Sequence, residues 1–175
     1  ADLAYQDKLV RFIENHDEPR AANTFHPAKP LAAAVTVATL PGARLFHEGQ
    51  FEGRTLRLPV FLGRRPQDPV NLELQGFYRN LLQSVNTYAF REGEWRLCER
   101  SGWPDNQSHL NLVAWCRRHG TDRYLIVVNL SDYPADFSHP GWRGSRLKIT
   151  GYKDPVCCDR LPTYMQEYIY YNDIP

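Results

Sequence analysis

The residues with the clearest chemical potential lie together near the start of the chain. Phe12 to Arg20 read Phe-Ile-Glu-Asn-His-Asp-Glu-Pro-Arg, an apolar run that stops at Asn15-His16-Asp17. A short apolar run closing on turn-type polar residues reads as a buried parallel strand with its chemistry at the C-terminal tip. In barrel enzymes that tip is where active sites are built. A carboxylate beside an imidazole at a strand end can hold a polar substrate. It can equally be a satisfied turn, and the tripeptide alone favours the turn.

The elements that would position this stretch follow in a regular order. Lys8 to Asp17 is the first expected strand. Pro27 and Pro30 open an Ala-rich helical stretch, Leu31 to Leu40, which Pro41-Gly42 ends. Ala43 to Phe46 reads as a second short strand, followed by His47-Glu48-Gly49-Gln50 and a loop rich in Arg, Gly and Pro from Phe51 to Arg65. Asp68-Pro69 has the form of an N-cap and first-turn pair. It would start a helix with apolar residues at Leu72, Phe77, Leu81, Leu82 and Val85. Residues 1–90 therefore read β-α-β-loop-α.

From about Arg91 the texture changes. Trp95 to Cys98, Leu110 to Cys116, Tyr124 to Leu130 and Arg146 to Thr150 are short β-type runs separated by Gly, Pro, Asn and Asp clusters. That spacing predicts an antiparallel β-sandwich over residues 91–175. The fold class expected is α/β plus all-β.

Composition bounds the rest. The 175 residues carry a net charge of +1 with 42% hydrophobic and 23% charged residues, which describes a globular chain. Nothing steers it towards nucleic acid or an anionic membrane. The cysteines are Cys98, Cys116, Cys157 and Cys158; no Cys/His spacing suggests a metal, and free thiols in a reducing, cytoplasmic compartment are the expectation. No apolar run is long enough to span a membrane. The first residue is not Met and the only Met is Met165, so the sequence reads as a piece of something longer.

The Phe-x-x-Asn-His-Asp stretch resembles the last short signature motif of the α-amylase family of glycoside hydrolases. A second stretch strengthens the likeness. The family's eighth barrel strand commonly opens with Gly and closes with an aromatic pair and Gly-Gln-Glu. Here Gly42-Ala43-Arg44-Leu45-Phe46-His47-Glu48-Gly49-Gln50-Phe51-Glu52 keeps the Gly, the apolar pair and Gly-Gln. His47-Glu48 replaces the aromatic pair and Phe51 replaces the Glu. The resemblance implies the last two β/α units of a (β/α)8 barrel, strand seven to helix eight, followed by a C-terminal sandwich lacking its final strand.

The same resemblance implies the roles. Retaining glycosidases need a carboxylate nucleophile and a carboxylic acid that protonates the leaving oxygen. This family adds a third carboxylate, which would be Asp17, stabilising the transition state through hydrogen bonds to sugar hydroxyls. His16 would bind the same sugar. Arg20 would contact substrate, or pair with Asp17 or Glu14; Asn15 would be structural. Glu14, on the opposite face from Ile13, would be an ion-pair partner. The family's Gly-x-Arg-x-Asp nucleophile pattern and its acid are not in this sequence. The implied parent is an α-glucan or malto-oligosaccharide hydrolase or transglycosylase with no cofactor and no metal ligand here. A non-catalytic carbohydrate-binding or structural fragment acting through its sandwich is the rival reading. Trp95, Trp103, Trp115 and Trp142 suit sugar stacking or core packing, the latter being commoner. Two strands cannot close a barrel. The segment is therefore expected to need a complementing N-terminal segment or an oligomeric partner, and to be inactive alone.

Overall fold

The computed structural model describes residues 2–25, 29–59, 61, 63–64, 66–102, 104–131, 133 and 135–136, and the backbone of Phe137, Leu147–Ile149 and Ile169–Tyr171. The chain divides into two compact units, Ala1–Gln83 and Ser84–Pro175.

In the first unit the elements are α1 (Leu3–Gln6), β1 (Val10–Arg11), α2 (Ala21–Thr24), α3 (Lys29–Thr39), β2 (Ala43–Arg44) and α4 (Leu72–Ser84). β1 and β2 are parallel, with Val10 opposite Ala43 and Arg11 opposite Arg44. The ladder is completed by the Ala43 amide donating to Leu9 and the Leu45 amide donating to Arg11, each at 2.9 Å. The expected strand over Lys8–Asp17 is thus reduced to two residues: with one described neighbour, the backbone beyond Arg11 has no ladder to join, and it turns into a loop. α3 has no charge beyond its first residue and is buried along most of its length, from Leu31 to Thr39. The Thr36 and Thr39 hydroxyls bond back to the carbonyls of Ala32 and Val35, so neither leaves a donor stranded. The chain must then reverse immediately. Gly42 does this at φ +102°, where an added Cβ would lie 2.5 Å from the Leu9 carbonyl oxygen. Only Gly meets both demands.

α4 starts later than expected, and Asp68 does not cap it. Asn71 does, its Oδ1 accepting from the Leu74 amide at 3.0 Å. The Asp68 carboxylate instead accepts from the amides of Thr55 and Leu56 at 2.8 and 3.0 Å, and from the Thr55 hydroxyl. It holds the Arg/Gly/Pro-rich loop. Phe77 and Leu81 lie on the buried side of α4, as does Tyr78, while Leu72 is exposed.

In the second unit α5 (Tyr88–Arg91) precedes β3 (Glu94–Leu97), a 3-10 helix (Ser108–Asn111), β4 (Leu112–His119), β5 (Asp122–Asn129), β6 (Ala135–Phe137), β7 (Leu147–Ile149) and β8 (Ile169–Tyr171). A four-stranded antiparallel sheet has the order β3-β4-β5-β8, and β6 and β7 form a separate antiparallel pair. The expected strand from Leu110 therefore begins two residues later, after the 3-10 turn. β4 and β5 form a hairpin closed by His119 opposite Asp122. Gly120, at φ +59°, takes the first of the two loop positions, as primed turns require. β5 is buried on both faces, which explains its unbroken apolar run. Leu125 and Val127 join Leu112, Ala114 and Cys98 in one cluster. Tyr124, one residue out of phase, meets Phe90 of α5 with ring centroids 4.8 Å apart.

Candidate functional site

Parallel pairing puts the loops after β1 and β2 at the same end of their small sheet. The first loop carries Asn15, His16 and Asp17; the second carries His47 to Gln50. The polar side chains of the first loop are divided between inside and outside.

Glu14 and Arg20 are inside. Their side chains are 2% and 3% exposed, and Arg20 Nη1 lies 2.7 Å from Glu14 Oε1. Glu14 Oε2 accepts from the Ala21 amide at 2.6 Å, at the start of α2. The rest of the guanidinium donates to the Glu48 carbonyl at 2.9 Å and the Leu56 carbonyl at 3.2 Å. One buried cation therefore ties the first loop, the second loop and the 55–56 segment together. Of the two carboxylates weighed for it, Glu14 is the partner. Gly49 makes room: at φ +84°, its added Cβ would meet Arg20 Nη2 at 2.5 Å and Arg54 Cγ at 2.6 Å.

Asn15 builds the turn. Its Oδ1 accepts from the amides of Asp17 and Glu18 at 2.8 and 2.9 Å, an Asx turn that fixes the backbone of the next residues. The Arg57 side chain donates to the His16 carbonyl at 3.3 Å.

His16 and Asp17 are outside. Their side chains are 67% and 75% exposed and meet only edgewise, with His16 Nε2 3.3 Å from Asp17 Oδ2. The Asp17 carboxylate thus has capacity for external donors, and the imidazole beside it has a polar edge turned to solvent.

The second loop is held from below. Gln50 is buried, accepts from the His47 amide at 3.2 Å and donates to the Tyr78 hydroxyl at 2.8 Å. Tyr78 sits in a cluster with Phe46, Phe51 and Phe77. Burial pushes its phenol up to about 12. His47 is half-buried; burial first, and the Arg20 charge second, hold its imidazole below the ordinary histidine value. Sequence reasoning placed His47 as a replacement within the aromatic pair and missed the Gln50–Tyr78 bridge. The Gly-Gln motif was its only signal.

Trp115 is buried in the second unit, on the packing side of the choice left open for it. Trp103, Trp142, His26, Cys157 and Cys158 lie outside the described residues. Among the described residues, no cluster of His, Cys, Asp and Glu could hold a metal, and no helix is long and apolar enough to cross a membrane.

No protein-family model matches the sequence, and no curated protein matches it. Solved structures do. A maltogenic α-amylase, AmyB from Thermotoga neapolitana, is 23% identical with a TM-score of 0.58, over 73% of this chain and 30% of that one. A debranching enzyme from Nostoc punctiforme is 21% identical with a TM-score of 0.58, over 77% of this chain and 27% of that one. The trehalulose synthase MutB is 19% identical with a TM-score of 0.55, over 81% of this chain and 41% of that one. This chain therefore has the fold of a part of the α-amylase-family enzymes.

Proposed function

We propose that the chain is the C-terminal portion of a retaining α-glucan-active glycoside hydrolase or transglycosylase. Asp17 is its transition-state-stabilising carboxylate, and His16 hydrogen-bonds the same sugar. One observation carries the reading: on the loop that follows a parallel strand, the Asp17 carboxylate and the His16 imidazole face solvent side by side, on a turn fixed by Asn15. Charge builds on the sugar ring as an oxocarbenium-like transition state forms, and a carboxylate held on a rigid turn strengthens its hydrogen bonds to the ring hydroxyls as it does so. Arg20 enters as a positioning residue, because its guanidinium is buried against Glu14 and two carbonyls.

Asp17 alone breaks no glycosidic bond. The nucleophile and the general acid belong to the remainder of the enzyme, whose barrel strands also cover β1 and β2. Val10, Phe12 and Leu45 support this, being 56%, 45% and 40% exposed at the small parallel sheet. Such apolar side chains are what a complementing barrel segment would bury.

The test is Asp17→Asn in the full-length enzyme acting on malto-oligosaccharides. kcat should fall by several orders of magnitude; removal of a single preorganised transition-state hydrogen bond already costs on the order of a hundredfold to a thousandfold. Thermal stability should hardly change, because the side chain is mostly exposed. Turnover close to that of the parent would remove Asp17 from the mechanism.

A further inference from the structure

Cys98 and Cys116 meet on the side of the four-stranded sheet that faces the Leu112–Leu125–Val127 cluster. Arg96 of β3 stands opposite Cys116 of β4. The Cys98 amide donates to the Ala114 carbonyl at 2.9 Å, which continues the register and makes Cys98 and Cys116 diagonal neighbours on one face. Their Sγ atoms are 2.9 Å apart. Non-bonded carbon atoms rest at about 3.5–4.0 Å, and sulfur is the larger atom. A disulfide requires about 2.05 Å, so closure asks for a small side-chain adjustment and no change of strand register.

The two thiols are unequal. Cys98 is buried, whereas Cys116 is half-buried. The hydrogen bond from Cys98 pulls the Cys116 thiol below its ordinary value, against the effect of burial, and the Arg96 guanidinium adds to the pull. The same bond and burial push Cys98 up. One thiol is thus accessible and disposed to ionise; the other is sheltered at contact distance.

We propose that Cys98 and Cys116 form a reversible thiol–disulfide site, in which a small disulfide of the glutathione type converts the pair into a cross-strand disulfide joining the end of β3 to β4. The Cys116 thiolate attacks one sulfur of the small disulfide and releases the other as a thiolate. The Cys98 thiol then gives its proton to that leaving group, and its sulfur attacks Cys116 Sγ in the mixed disulfide, releasing the second small thiolate, which takes up from water the proton that Cys116 lost on ionising. The protein dithiol loses two electrons and two protons; the small disulfide gains both. The bond closes a loop that carries the 3-10 helix. That loop is already tied to β6, where Asn106 Nδ2 donates to Asp136 Oδ2 and the Asp136 amide donates to the Ser108 hydroxyl, each at 2.8 Å.

The experiment uses the full chain carrying Cys157→Ser and Cys158→Ser, so that only this pair can react. It is incubated under native conditions with glutathione disulfide, alkylated, digested with trypsin and mapped by mass spectrometry. The expected product is a linked peptide pair containing Cys98 and Cys116, lost on reduction. The oxidised protein should also unfold several degrees above the reduced form. With Cys98→Ser added, Cys116 should stop at the mixed disulfide with glutathione, and the thermal shift should vanish. Alkylation of both cysteines without a linked peptide overturns the proposal. So does a mixed disulfide at Cys116 that persists while Cys98 is present.

Discussion

Replacing Arg20 by Ala should disorganise the proposed site without touching any solvent-facing group in it. The substitution leaves the Glu14 carboxylate buried, still accepting from the Ala21 amide but without its cation, and takes the donor from the carbonyls of Glu48 and Leu56. Removing one member of a buried ion pair costs about 3–5 kcal/mol, because the remaining charge stays desolvated. Against a total stability of about 5–15 kcal/mol this is a large share. Glu14→Gln should cost less, about 1–3 kcal/mol: the amide oxygen can still accept from Ala21, and the cation keeps two carbonyls. All four tryptophans follow residue 84, so the first unit holds no tryptophan to report on it. Amide hydrogen exchange at Ala43 and Leu45, the two donors of the β1–β2 ladder, reads it directly. At tenfold per 1.4 kcal/mol, Arg20→Ala should speed that exchange on the order of a hundredfold to several thousandfold. Glu14→Leu combined with Arg20→Met should recover part of the loss. An acceleration below about tenfold for Arg20→Ala, or a larger effect from Glu14→Gln, would refute the assignment of this pair as the brace of the loop.

Two further outcomes follow from the same loops. Gly49→Ala should destabilise the first unit by about 1–3 kcal/mol in urea unfolding, from its positive φ alone, with displacement of Arg20 adding to that; an unchanged midpoint would contradict the geometry. Asp68 has its carboxyl held below the usual carboxylate range, first by the Leu56 amide and then by Thr55. A depressed folded value contributes stability above the unfolded value of about 3.9 and loses it as pH falls through the folded value. The stability gap between the parent and Asp68→Ala should therefore be constant from neutral pH down to about pH 4 and close below it. A gap that persists unchanged to lower pH would show that the carboxylate charge is not what holds residues 55 and 56.

The parts of the fold that local pattern controls were legible in the sequence. α3 is read from an Ala-rich run between Pro30 and Pro41-Gly42, and β5 from an unbroken apolar run, because both are dictated by neighbours within a few positions. Asp68-Pro69 shows the opposite case. The local pair has the form of a helix start, but the carboxylate is claimed by amides 12 and 13 residues upstream, and Asn71 caps the helix instead. The length of β1 failed for a related reason: an apolar run sets where a strand can exist, and the available ladder partner sets where it stops. The Cys98–Cys116 contact joins residues 18 apart across a diagonal of two strands. No spacing rule reports it, since it depends on register.

The candidate site was legible in its residue types but not in its division of labour. From Glu14 to Arg20, the side chains of Glu14, Asn15 and Arg20 bond to the protein, while those of His16, Asp17 and Glu18 are exposed. Glu14 and Arg20 neutralise each other out of water, and Asn15 gives its carbonyl oxygen to the turn. Each of these removes a degree of freedom from the backbone that carries His16 and Asp17. The cost of ordering an exposed side chain in the proposed site is thereby met by buried neighbours, and the carboxylate keeps lone pairs for an external partner. In a loop that served only as a turn, Asp17 would be the natural residue to satisfy the backbone, as Asn15 does. The structure assigns that task to Asn15 and leaves Asp17 facing solvent, the arrangement a sugar-binding carboxylate requires.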